Sequence, residues 1–243
     1  MSQLKALIFN VNGTLADTDQ WHLRAYNQAF ADLGLDWHWN ETLYAELLEF
    51  PGGNQRILHY WRTVNPDMKA IDSLALADTV AQIHDLKLAH YEATFTSGAV
   101  ELRPGVLALI EEAMANGLML AIVTTTSPVN LSALMGKAMG PGWQYNFAAF
   151  SDAANGPKRV PKEKLYQQLL AKLKLEPSYC LAFEDSAHGL KAARLAGLPT
   201  LITPTRNTLK QDFSGAIKVV PDLQNLRLSQ VLQWHHEAST DPV

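Results

Sequence analysis

The chain of 243 residues has a single cysteine, Cys180, so no internal disulfide is open to it. Cys180 stands in an apolar run, and the reading that fits is a buried, inert thiol in a reducing compartment. No stretch approaches the roughly 18 consecutive apolar residues that a membrane span requires, and no apolar signal segment opens the chain. A cytoplasmic protein with no membrane partner is expected. Excess charge is missing too: 20 Lys and Arg oppose 24 Asp and Glu, for a net charge of -4 and a pI near 6.0. That balance gives nucleic acid no electrostatic reason to bind. Internal repeats and low-complexity tracts are also absent. What remains is a hydrophobic content of 47%, enough for one large domain or for a core domain carrying a smaller insert. A monomer is the expected state.

Residues 4–10, apolar apart from Lys5 up to the amide of Asn10, read as a strand buried on both faces. Asn10 and Asn12 close that run, and Gly13 permits a sharp turn. The next stretch is helical throughout: a helix over 17–33 stopped by Gly34, one capped by Asn40 and ended by Pro51, Gly52 and Gly53, a third over 55–63, and a longer one within 70–91. From Glu101 the texture changes. A helix opens at Pro104 and stops at Gly117, followed by strand 118–123, helix 128–139, a short strand near 147–150, helix 161–174, strand 179–183, helix 186–196 and strand 199–203. The alternation predicts an α/β fold, a Rossmann-like parallel sheet with helices on both faces, built from residues 1–15 and 98–235, with an all-helical cap inserted over 16–97. Residues 236–243 have few anchors and are expected to be a flexible tail, with His235 and His236 solvated. Ligands of such sheets bind beyond the carboxyl ends of the strands, which singles out Asn10, Asn12, Thr124, Glu184 and Asp185.

Three segments carry a more specific signal. FNVNGTLADT, residues 9–18, resembles the first motif, hhhDxDGT, of the haloacid dehalogenase superfamily phosphatases, except that both acids are asparagines. Thr124, closing LAIVT, is similar to the second motif, and FEDSAHGLKAARLAGLPT, residues 183–200, is similar to the fourth almost letter for letter. The helical insert resembles the small cap of the beta-phosphoglucomutase-like branch. Within that branch ELRPGV, the threonines at 124–126, Gly52-Gly53 and TPTRNTLKQDFSGA look most like the CbbY-type sugar bisphosphate phosphatases.

The resemblance implies Mg2+-dependent hydrolysis of a sugar phosphate through an aspartyl phosphate. It puts Asn10 at the nucleophile position and Asn12 at the acid/base position. Asn10, Asn12, Glu184 and Asp185 stand at the metal positions, and Thr124, Thr125 and Gly13 at phosphate-binding ones. Cap residues that would meet substrate are His22, Gly53 and Arg56. The third motif, KPxPxxY, counts back from Tyr166 to place Pro161 on its proline and Val160 on its lysine; Lys158, Arg159, Lys162 and Lys164 surround that apolar position, and Lys158 and Lys162 are candidate phosphate ligands. Plainer roles exist for some of these: Glu184 and Asp185 also suit a helix N-terminus, and Arg56 a solvated helix face.

An amide has no anionic oxygen and exchanges no proton near neutral pH. Loss of the nucleophile alone costs about a millionfold in one well-studied hydrolase, so a typical turnover of about 10 per second would fall to the order of one per day. The chain is expected to be nearly inert, to hold Mg2+ weakly or not at all, and to bind a phosphorylated metabolite as a pseudo-phosphatase. Its donors would be Thr124, the N–H groups of the turn after Asn12, and a nearby Lys or Arg. Two rival accounts stay open: an active sugar phosphatase disabled by two Asp→Asn changes, and a structural or interaction protein with a vestigial pocket. Val160, and Asn54 or Gln55 where a CbbY-type cap lysine is expected, favour natural loss over deliberate change.

Overall fold

The computed structural model describes residues 3–50, 52–66, 74–152 and 160–240. Ala6–Phe9 forms β1, and four helices follow: Asp19–Asp32 (α1), Glu41–Leu47 (α2), Gly53–Val64 (α3) and Leu74–Thr96 (α4). Next come Val106–Ala115 (α5), Met119–Thr124 (β2), Pro128–Met139 (α6), Ala149–Asp152 (β3), Lys162–Leu173 (α7) and Cys180–Glu184 (β4). Ala187–Leu195 (α8), Thr200–Ile202 (β5), Lys218–Val219 (β6) and Leu228–Thr240 (α9) complete the chain. It divides into two compact units, residues 1–17 with 100–243, and residues 18–99.

The first unit is a parallel six-stranded sheet in the order β3-β2-β1-β4-β5-β6. β1 lies at its centre because every side chain of Ala-Leu-Ile-Phe is apolar and buried, which only a strand covered on both faces can satisfy. Its neighbours β2 and β4 follow it on opposite sides, and chain reversals of this kind open a crevice at the carboxyl ends of the strands. The helices around the sheet begin and end where the sequence gives the chemistry for it. Ser127 accepts from the N–H of Asn130 at 3.3 Å to cap α6, and Ser186 accepts from that of Gly189 at 3.2 Å to cap α8. Leu165, Tyr166 and Leu169 of α7 pack with Ala6, Ile8, Ala121 and Ala182 of the sheet.

The second unit is helical. Tyr26, Phe30, Trp39 and Tyr44 form its buried aromatic centre with Ile57, Val80 and Ile83. Trp39 is held there through its backbone: Asn27 accepts from its N–H and donates to its carbonyl, each at 2.8 Å. Asn40 caps α2 through the N–H of Leu43 at 2.9 Å, as its sequence position predicts.

Two parts of the sequence reading need correction. Residues 236–240 are not a loose tail but the last turns of α9, and His235 is buried rather than solvated, its imidazole held below the usual histidine range by that burial. Val231 and Leu228 share the buried side of α9 with it, a helical spacing that reaches past the polar appearance of the segment. β6 was not anticipated. It is two exposed residues long and carries Lys218, a short, charged edge of the kind that resists further strand pairing.

Candidate functional site at the strand ends

Phe9 is in register with Ile122 on one side and Phe183 on the other. One step further along each strand lie Asn10, Val123 with Thr124, and Glu184, so the fold itself gathers the residues that the motifs single out. Asn10 leaves the sheet with its N–H bonded to the carbonyl of Phe183 at 3.0 Å. Its side chain is buried, and both ends of the carboxamide are engaged. Nδ2 donates to the backbone carbonyl of Asn12 at 2.6 Å, to Asp185 Oδ1 at 3.0 Å and to Thr14 Oγ1 at 3.2 Å. Oδ1 accepts from Lys162 Nζ at 3.1 Å.

Of the basic residues described around the third-motif position, Lys162 is the one that reaches Asn10 and Glu184. Val160, at the position where the family carries its lysine, is apolar and packs against the hydrophobic core. Lys162 stands at the first residue of α7 and reaches the site from there, 2.6 Å from Glu184 Oε1. The same carboxylate oxygen accepts from Tyr166 Oη at 2.5 Å, and burial and the Glu184 charge push that phenol well above its usual range. A fully buried carboxylate is tolerable only with such partners. Glu184 Oε2 has none among the described residues, and the missing side chain of Gly189 leaves room for it: a Cβ there would lie 2.0 Å away. Lys164 is exposed and donates to Gln167 at 3.2 Å, outside the site. Lys158 and Arg159 lie outside the described residues.

The turn after Asn12 departs from expectation. Gly13 N–H donates to the carbonyl of Ala16 at 2.7 Å, and the N–H groups of Thr14, Leu15 and Ala16 converge on that of Val11 at 3.2, 2.9 and 3.1 Å. These donors hold the turn together, so the reading of Gly13 and its neighbours as phosphate donors is corrected. Gly13 serves a different end. Its φ of +78° suits glycine, and a Cβ would come within 2.2 Å of Asp185 Oδ2, so the bare backbone lets that carboxylate approach.

Thr124 is buried, and its hydroxyl oxygen accepts from the N–H of Thr126 at 2.9 Å, leaving its proton to donate. Thr125 is exposed. Thr126, which the sequence reading passed over, donates its hydroxyl proton to Asn12 Oδ1 at 2.8 Å and so orients that amide. Arg103 was also missed. Its guanidinium binds the carbonyls of Gly13 and of Thr203 (2.7 Å), Pro204 (3.0 Å) and Pro221 (3.0 Å), tying the turn to the loops beyond β5. Arg103→Met should therefore lower stability by about 3 kcal/mol, the scale for charge-assisted bonds whose acceptors are left behind. Urea unfolding of both proteins checks this, and an unchanged midpoint would remove Arg103 from that role.

The helical unit holds a second polar cluster, described on its own. Lys87 of α4 is 4% exposed, and its Nζ lies 2.7 Å from Nδ1 of His22. Among the described residues no carboxylate is ion-paired with it. The rings of Tyr91 and Tyr26 face it, with centroids at 4.6 and 5.2 Å, and His22 stacks on Tyr91 at 3.8 Å. Burial, with the Arg56 charge adding to it, pulls Lys87 down to about 7. Burial first and Lys87 second hold His22 well below its usual value. Arg56 Nε donates to the carbonyls of Phe50 at 3.0 Å and Leu47 at 3.2 Å, closing the end of α2. Gly53 lies against His84 and the hydroxyl of Tyr26, where a Cβ would meet His84 Cδ2 at 2.3 Å. Lys87 was legible: with Val80, Ile83 and Tyr91 it falls at the three- and four-residue spacing of one buried helix face.

Residues 4–197 match the haloacid dehalogenase-like hydrolase family. The CbbY protein of Cupriavidus necator is 46% identical over 220 residues, 90% of this chain and 86% of that one. CbbY of Rhodobacter capsulatus is 39% identical over 91% of this chain and 94% of its own. Among solved structures, CbbY from Rhodobacter sphaeroides in complex with phosphate has a TM-score of 0.76 at 34% identity, covering 92% of this chain and 96% of that one. An aspartate-to-asparagine variant of that protein, in complex with xylulose 1,5-bisphosphate, matches equally well. With its strand-end constellation and these relatives, the chain belongs to the haloacid dehalogenase-like hydrolases, as a CbbY-like member.

Proposed function

We propose that this chain binds a phosphorylated small molecule of the sugar phosphate class at the strand ends and does not hydrolyse it. The observation that carries the reading is the Asn10 carboxamide at the end of β1, an uncharged group in contact with Lys162 at 3.1 Å. Hydrolysis by this family's route needs a carboxylate nucleophile there. Binding needs only donors, and Lys162 and the Thr124 and Thr125 hydroxyls supply them. A phosphate dianion also meets two fewer negative charges than two aspartates would present. The relative whose asparagine variant holds a sugar bisphosphate supports binding that outlasts the loss of an acid.

Calorimetry with inorganic phosphate and with xylulose 1,5-bisphosphate, in Mg2+ and separately in EDTA, tests this. The expected result is binding at millimolar concentration or tighter in both conditions, without turnover. Absence of binding in both would leave the vestigial-pocket account, and Mg2+-dependent turnover of about 1 per second or more, a normal enzymatic rate, would overturn the non-catalytic reading.

A further inference from the structure

Asn10 does more than lack a charge. Its Nδ2 sits among three oxygens, the Asn12 carbonyl at 2.6 Å, Asp185 Oδ1 at 3.0 Å and Thr14 Oγ1 at 3.2 Å, while its Oδ1 faces Lys162 Nζ. The neighbours fix which end is which. A lysine ammonium only donates, whereas a backbone carbonyl and an ionised carboxylate only accept, so the nitrogen belongs on the oxygen side. Two N–H bonds thus serve three oxygens. A convergent set of hard oxygens that includes a carboxylate is what Mg2+ or Mn2+ selects. The residues present do not fit such an ion as they stand, because an N–H donor, not an oxygen, faces these three oxygens at 2.6 to 3.2 Å.

We infer that the Asn10 amide nitrogen is a built-in stand-in for a divalent cation, meeting the Asn12 carbonyl and Asp185 Oδ1 with N–H donors in place of metal. For a cation to enter, the amide must turn over, and that motion would point Nδ2 at the Lys162 ammonium, donor against donor. Lys162, fixed by Glu184 at 2.6 Å, is the latch. The cation is excluded by an occupant, not merely held by too few ligands. The inference rests on the proposed function only in sharing its pocket.

The two ideas about Asn10 predict opposite results for Asn10→Ala. If Asn10 is simply a poor ligand, deleting it weakens cation binding; if it is an occupant, deleting it admits the ion. We expect Mn2+, titrated into the full chain and followed by the loss of its free-ion EPR signal, to bind Asn10→Ala about tenfold more tightly than the unaltered protein. Asn10→Asp, which replaces the occupant by a charged oxygen ligand, should gain a further 100-fold or so. Thermal unfolding of each variant confirms that the fold is kept. If Asn10→Ala binds Mn2+ no more tightly than the unaltered chain, the stand-in is refuted. Phosphate binding in EDTA is read separately, so failure here and failure of the binding function are distinguishable.

Discussion

Asn10→Asp combined with Asn12→Asp should raise Mg2+-dependent turnover of phosphate monoesters by at least about 10⁴-fold over the unaltered chain, a conservative share of what a lost nucleophile costs. The supporting groups are already placed. Lys162 Nζ lies 3.1 Å from Asn10 Oδ1, so an aspartate there would keep a cation beside it. Thr126 donates to Asn12 Oδ1 at 2.8 Å, a bond that an aspartate accepts equally well. Asn12→Asp alone leaves no nucleophile and should stay at background. Asn10→Asp alone should fall short of the pair by about 10²–10⁴-fold, the usual worth of general acid–base catalysis. Adding Lys162→Met to the pair should remove roughly 10²–10³-fold, as losing one charge-stabilising donor does elsewhere. Val160 offers no substitute. Steady-state assays with aryl and sugar phosphates measure all of these. A folded double variant with less than tenfold gain would mean that more than two side chains separate this pocket from a catalytic one.

The part of this site that could be read from sequence is the part fixed by the sheet. Strand runs and their end residues follow from apolar patterning, and parallel pairing brings Asn10, Thr124 and Glu184 together whatever the loops do. What patterning could not give is reach. Lys162 lies two residues after the motif position, and only the start of α7 decides that its side chain, rather than that of Lys164, turns to Glu184. Thr126 was hidden in a run of three threonines whose exposures differ, and such a difference depends on the turn geometry that follows β2. The donors of the turn after Asn12 look available in sequence, but closing the turn consumes them internally. Arg103 sat inside a quoted motif with no role, because its carbonyl partners come from segments up to 118 positions away. His235 was judged by its polar neighbours, while helical spacing placed it inward.

Lys87→Met should make the protein more stable at pH 7 and flatten its stability between pH 7 and 9. The lysine is held at about 7 in the folded chain against 10.5 for its ordinary value. Between those values the unfolded chain carries a proton that the folded chain has shed, so stability rises with pH by about 1.4 kcal/mol per unit, or roughly 3 kcal/mol from pH 7 to 9. Below 7 both states are charged and the burial cost stands in full. His22 of α1, Arg56 of α3, and Tyr26 and Tyr91 surround the group. His22, held low, lets stability fall further as pH drops below about 6.5, because its unfolded form takes up a proton first. On the alkaline side Cys180, pushed up to about 12 from 9.0, and the raised Tyr44 and Tyr91 act in reverse: their unfolded forms lose protons that the folded chain retains. An optimum near pH 9 follows. Methionine matches lysine's stem closely enough to fill the space, and it leaves the rings of Tyr26 and Tyr91 covered. Urea unfolding at pH 6 to 9, read by tryptophan fluorescence, gives the comparison. The gain should be larger at pH 7 than at pH 9 by roughly 3 kcal/mol, the share of the lysine's cost that deprotonation removes over that window. Equal pH slopes in the two proteins would mean that Lys87 keeps its charge in the folded state, with the imidazole of His22 and the two tyrosine rings offsetting its burial.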